Sequence, residues 1–215
     1  MRIYDTQRSG NAWKVRLFAS LVGLKLDRIT LSIDKGDLRQ ASFLAKSPLA
    51  QVPVLELDDG RTISESFAIL FYLAQGTAWW PADAVAQAQV LTWLSFEQAR
   101  HMRPIAQLRL HLSLRRDKSA DDADMKAFRP EALDALGRLD NRLRDQGPGK
   151  WVATADHPSI ADIALYPYTR MSPLAGIDLD AFAHLPGWLS RIEALPGYQS
   201  IFPGRPELNL STTEL

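Results

Sequence analysis

Apolar and polar positions change their period partway along the chain, and that change divides it. Arg2-Ile3-Tyr4-Asp5 predicts a short first strand. After the polar stretch from Thr6 to Asn11, Val15, Phe18 and Val22, with Leu17 and Leu21 beside them, recur at helical spacing, and Gly23 is placed to cap that helix. Ile29-Thr30-Leu31 predicts a second strand, joined to the first by a right-handed crossover. A short helix around Phe43-Leu44 is stopped by Pro48. Val54 to Leu57 alternates as a third strand, and Asp58-Asp59-Gly60 returns the chain as a hairpin through Arg61-Thr62-Ile63. From Glu65 to about Gln75, Phe67, Leu70, Phe71 and Ala74 share one helical face. The order βαβαββα implies a mixed sheet flanked by helices.

Periodicity stops between Gly76 and Asp83, where Gly, Trp79-Trp80 and Pro81 intervene, and the linker is expected there. The expected domains are residues 1–77 and 84–215. The second carries only helical patterns: one long helix from Ala84 to about Leu114 with a kink at Pro104, and one bearing Leu133, Leu136, Leu139 and Leu143 that Gly147-Pro148-Gly149 ends. A third follows Ser159, a short turn lies near Asp180, and a last helix opens at Pro186. In Ser159-Ile160-Ala161-Asp162 the serine caps a helix while the acid three residues on returns a bond to the cap, a reciprocal box. The polar tail after Pro203 is expected to wrap the surface or be loose.

Composition narrows the chemistry. Lys+Arg and Asp+Glu stand at 25 each in 215 residues, so no electrostatic case exists for nucleic acid or an acidic membrane surface. No apolar run near the N-terminus suits a signal peptide and none is long enough to span a bilayer, so a cytoplasmic protein is expected. Without cysteine the chain has no disulfide, no thiolate metal site and no sulfur nucleophile of its own. Any thiol chemistry must act on a thiol brought in from outside.

Gln51-Val52-Pro53-Val54-Leu55 is the anomalous stretch, because proline cannot donate to a strand ladder. Two readings of the pentapeptide are open: a trans proline starting an edge strand, or a cis Val52–Pro53 bond at the strand's entrance. A cis bond there costs only about 0.5–1 kcal/mol over trans, and it would turn the backbone polar groups of Val52 outward, where an extended peptide can pair with them.

Val-Pro-Val-Leu, the Asp-Gly turn and Ile63-Ser64-Glu65-Ser66 opening a helix together resemble the cytosolic glutathione transferases, over essentially the whole chain. The Ser159–Asp162 box followed by Ile163-Ala164-Leu165-Tyr166 resembles the same family's second domain. The resemblance implies a thioredoxin-like α/β N-terminal domain, an all-α C-terminal domain, a cis Val52–Pro53 bond, glutathione as co-substrate without a metal, a role in detoxification and a homodimer. It assigns the glutathione backbone to Val52 beside Pro53, the γ-glutamyl carboxylate to Ser66 and its amino group to Glu65. Lys35 and Gln51 are candidates for the glycine carboxylate. Ser9 in Ser9-Gly10-Asn11 resembles the serine that activates the thiol in serine-type members, with Asn11 the competing donor; Tyr4 lies within the strand, which fits the tyrosine-type arrangement poorly. The second substrate, a small apolar electrophile, is expected in a cleft walled by Trp13, His101 and Arg109. Alternative readings on the same scaffold are a glutathione-dependent isomerase, dehalogenase or peroxidase, or a non-catalytic assembly module such as the gamma subunit of the translation elongation factor.

Overall fold

The computed structural model describes residues 1–202; the tail after Pro203 lies outside the described residues. The N-terminal part runs β1 (Arg2–Asp5), α1 (Gly10–Leu21), β2 (Asp27–Thr30), α2 (Ala41–Leu44), β3 (Val54–Glu56), β4 (Thr62–Ser64) and α3 (Ser66–Ala74). The sheet order is β2-β1-β3-β4. β1 and β2 are parallel, and β3 runs antiparallel to both β1 and β4, with Ile3 opposite Leu55 and Leu55 opposite Ile63. That is the thioredoxin-like arrangement.

All regular structure described beyond this point is helical. α4 (Ala84–Phe96) leads into a π-helical turn over Glu97–His101, then α5 (Met102–Arg109) and a second π turn over Leu110–Leu114. The pattern predicts a single helix kinked at Pro104; the chain instead widens one turn just before that proline. An α-helical turn would press the proline ring against the Arg100 carbonyl, and the wider turn gives it room. α6 (Ala123–Gln146), α7 (Ile160–Arg170) and α8 (Leu185–Glu193) complete the bundle. No helix of the described residues is long and apolar enough to cross a membrane.

α1 holds the two halves together because it is apolar on two sides. Val15 joins Ile3, Leu55 and Ile69 in a small core over the sheet. Trp13, Leu17 and Phe18 belong to the large core with α3, α4 and α7. The close approach of α7 needs a glycine: a Cβ on Gly10 would lie 2.8 Å from the Tyr168 ring. α3 is likewise buried on two sides, through Ile69 towards the sheet and Leu70 and Ala74 towards the bundle. Phe71, expected on the buried face, is instead 41% exposed and meets Trp80 edge-on.

Asp162 ties the helical domain together. Its buried carboxylate accepts from the Ser159 backbone N–H (2.9 Å) and hydroxyl, from the Val152 N–H (3.0 Å) and from the Trp188 indole (3.0 Å). The box therefore does more than cap α7; it anchors the loop before it and α8. Asp162→Ala should strand several buried donors and lower stability by about 3 kcal/mol or more in chemical denaturation. A loss below about 1 kcal/mol, the cost of an ordinary exposed cap, would show the network to be dispensable.

Candidate functional site

Two cavities open beside the N-terminus of α1. The smaller, about 30 Å³, is lined by Asn11, Gln51, Val52, Pro53, Glu65 and Ser66 together with Ser47, Leu49 and Ser64. The Val52–Pro53 bond is cis. Leading into it, the Ser47 hydroxyl donates to the Gln51 carbonyl (3.0 Å) and accepts from the Gln51 N–H (3.2 Å), so the loop is clamped across four residues. Nothing in the sequence marks Ser47 except its place before Pro48. On the opposite wall, Glu65 adopts φ 69°, ψ 122° immediately before α3. A non-glycine residue in that region costs on the order of 1–3 kcal/mol, and such outliers concentrate where a side chain must be aimed. Ser66, the first residue of α3, is buried beside the free N–H groups of that helix, a place suited to an anion.

Behind Asn11 lies a buried ion pair. The Lys14 ammonium donates to Glu97 Oε1 at 2.6 Å and to Asn11 Oδ1 at 2.8 Å, and stands 5.3 Å from the centre of the Tyr168 ring. Lys14 and Glu97 are both fully buried. Burial pushes the Lys14 pKa below its ordinary value while Glu97 opposes the shift. An ammonium has only donors, so the Asn11 amide must turn its oxygen towards it, which leaves the Nδ2 hydrogens for other partners. The sequence gives Asn11 as a turn residue; its fixed orientation comes from Glu97, 83 residues beyond Lys14.

The larger cavity, about 450 Å³, lies between the domains and is lined by Ser9, Gly10, Arg8, Tyr168, Arg109 and an apolar row, Ala106, Leu110 and Leu114, among others. Ser9 Oγ accepts from the Ala12 N–H at 3.1 Å and caps α1. Burial pushes the Tyr168 hydroxyl up to about 12, against the pull of the Arg109 guanidinium and the Asn11 backbone N–H, so it stays protonated at neutral pH. Tyr168 has no signal in the sequence, since an aromatic residue in a core helix reads as packing.

Three residues fall elsewhere than expected. Trp13 is fully buried against Tyr166 and its indole donates to the Gln199 carbonyl, so it walls no cleft. His101 is also fully buried, with Nε2 2.9 Å from the Thr169 hydroxyl. Burial and the Lys14 charge push its pKa down to about 3, which keeps it neutral. Their helices were expected to wall the cleft, but the faces that carry these two side chains are covered by α7. Lys35 lines neither cavity; it is exposed on the loop after β2. Among the described residues no group of three or more His, Asp or Glu is placed to hold a metal.

Residues 8–75 match the family model for the glutathione S-transferase N-terminal domain, and residues 102–196 the model for its C-terminal domain. A crystal structure of a glutathione S-transferase from Pseudomonas fluorescens Pf-5 is similar at 32% identity and TM-score 0.88, covering 93% of this chain and 98% of that one. Ure2p in complex with glutathione is similar at 25% identity and TM-score 0.81, over 91% and 90% of the two chains. Among curated proteins, a maleylacetoacetate isomerase from Pseudomonas aeruginosa is 27% identical over 94% of this chain and 96% of its own length. With both domain models matched, and a transferase aligned over nearly its whole length with the same sheet and bundle, the chain belongs to the glutathione S-transferase family.

Proposed function

We propose that the chain binds glutathione along the surface across the small cavity, on the residues that line it, and delivers its thiolate to an electrophile held in the larger one. The observation that carries this reading is the Asn11 amide in the wall of the small cavity, whose oxygen is held by Lys14 and whose N–H groups are thereby left for another acceptor. Glutathione lies extended, its cysteinyl backbone paired with Val52 as an added strand would be. The γ-glutamyl carboxylate sits on Ser66 at the N-terminus of α3, and the amino group meets Glu65, whose left-handed backbone turns it into the cavity. Gln51 takes the glycine carboxylate. Lys35, which lines neither cavity, is left out of this reading.

The chemical step is thiol activation. A free thiol titrates near 8.5 and is mostly protonated at neutral pH, and lowering that by two units corresponds to about 2.7 kcal/mol. Asn11 Nδ2 donates to the sulfur, the N-terminus of α1 adds its dipole, and the Lys14 charge stands one residue layer behind. Ser9 keeps its hydroxyl oxygen on the Ala12 N–H and faces the second substrate. The thiolate then attacks an electrophilic carbon, forming a C–S bond as the leaving group departs with its electron pair. The same thiolate serves a glutathione-dependent isomerase, a reading that the near full-length similarity to a maleylacetoacetate isomerase keeps in play. Product analysis separates them, since a transferase consumes glutathione and an isomerase returns it.

On this reading Asn11→Ala raises the pKa of bound glutathione by about one to two units and lowers turnover roughly 10- to 100-fold, followed by thiolate absorbance and initial rates. Ser9→Ala instead costs about 1 kcal/mol of stability through the lost cap and leaves the thiol close to the parent. An upward shift in Ser9→Ala with none in Asn11→Ala would reverse the two assignments.

The assembly is proposed to be a two-fold homodimer. Phe71 and Tyr72 on α3 and Val85 and Leu91 on α4 are exposed large apolar side chains, suited to a self-complementary patch. Light scattering should report twice the 24.0 kDa chain mass, and a 24.0 kDa particle at micromolar concentration would contradict it.

A further inference from the structure

The thiol reading makes no use of Arg109, which ends α5 at the wall of the larger cavity. Its side chain is only 4% exposed. One guanidinium nitrogen, Nη2, donates to the Arg8 carbonyl at 3.1 Å, while Nε is buried without a partner. Among the described residues no carboxylate forms an ion pair with it; Asp34, the acid lining the same cavity, is taken by Arg8. Lys14, a fully buried cation, has Glu97. Burial lowers the Arg109 pKa, yet a guanidinium keeps its proton at any physiological pH, so an uncompensated positive charge stands in the wall. Buried charges of this kind are normally paired. A planar guanidinium fork is matched in shape and charge by a carboxylate. Arg115, at the same cavity, is exposed and adds positive charge at its rim. The same cavity is lined by Gly10 and by the apolar row Ala106, Leu110 and Leu114, four residues apart along the chain.

We propose that the second substrate is an organic carboxylate: Arg109 receives the carboxylate, the apolar row carries the body, and the electrophilic carbon faces Ser9 and Gly10. This narrows the apolar electrophile expected from the sequence to an amphipathic anion, and it rests on the larger cavity being the second-substrate site. A purely structural Arg109, joining α5 to the loop after β1 through the Arg8 carbonyl, would give no preference between an acid and its neutral ester.

Calorimetric titration of the full chain with 3,5-dinitrobenzoate and with its methyl ester, without glutathione, reads that preference independently of turnover. The acid should bind about 10- to 100-fold more tightly, the range expected of charge-assisted hydrogen bonds. Arg109→Gln should abolish the difference, and Arg109→Lys should retain part of it. Equal affinity of acid and ester for the parent protein would overturn the inference even if neither variant folds, and so would a preference that survives Arg109→Gln. A parallel assay with 4-chloro-3,5-dinitrobenzoate and glutathione follows C–S formation as the C–Cl bond breaks and chloride leaves. Acid-selective binding without chloride release would support the carboxylate site while removing the transferase reading.

Discussion

Lys14 and Glu97 form an ion pair with no exposure to solvent, donated from the first helix of the sheet domain and accepted from a π turn of the helical domain. Such a pair is weak evidence of stability, because desolvating two charges costs as much as or more than their attraction returns. Its consequence is geometric. With two of its hydrogen bonds spent on Glu97 and Asn11, the ammonium fixes which way the Asn11 amide points. A residue at the mouth of the small cavity is thereby oriented by the other domain. The Glu97 carboxylate is steadied in turn by Gln98, whose amide donates to Oε2 at 2.7 Å.

The rest of the site depends on the same placement of α1. Its glycine start lets Tyr168 of α7 lie against the helix N-terminus, and its two apolar sides lock it between the sheet core and the bundle core. Because the helix cannot rotate without disturbing both cores, Ser9 and Asn11 face different cavities and have different duties. The single residue between them, Gly10, lines the larger cavity and lies against the Tyr168 ring. Closely packed interiors transmit such constraints because they leave no slack for a side chain to drift.

Much of this was legible in the sequence, for identifiable reasons. Pro53 inside an apolar run, and the Ser159–Asp162 spacing before a helix, are local signals whose meaning is set within a few residues. The strand and helix order followed from periodicity, which survives in each element taken alone. What failed needed tertiary neighbours. Trp13 and His101 belong to helices expected at the cleft, and only the packing of α7 decides that their faces are covered. Phe71 and Leu133 carry the apolar period of their helices yet remain exposed, since each helix has more apolar surface than its neighbours cover. The partner of Lys14, the placement of Tyr168 at the larger cavity and the unpaired charge of Arg109 arise from contacts between distant segments, and no local pattern announces them.

The most direct measurement of the central claim is the thiol titration of bound glutathione in a Lys14→Met/Glu97→Leu double variant. Removing both charges together avoids stranding either one in the interior, so the variant should fold and still bind glutathione through Val52, Glu65 and Ser66. With the Asn11 amide released and the nearby cation gone, the thiol pKa should rise by about one to two units. A double variant that binds glutathione and titrates like the parent would contradict the account, because thiol activation would then owe nothing to the buried pair.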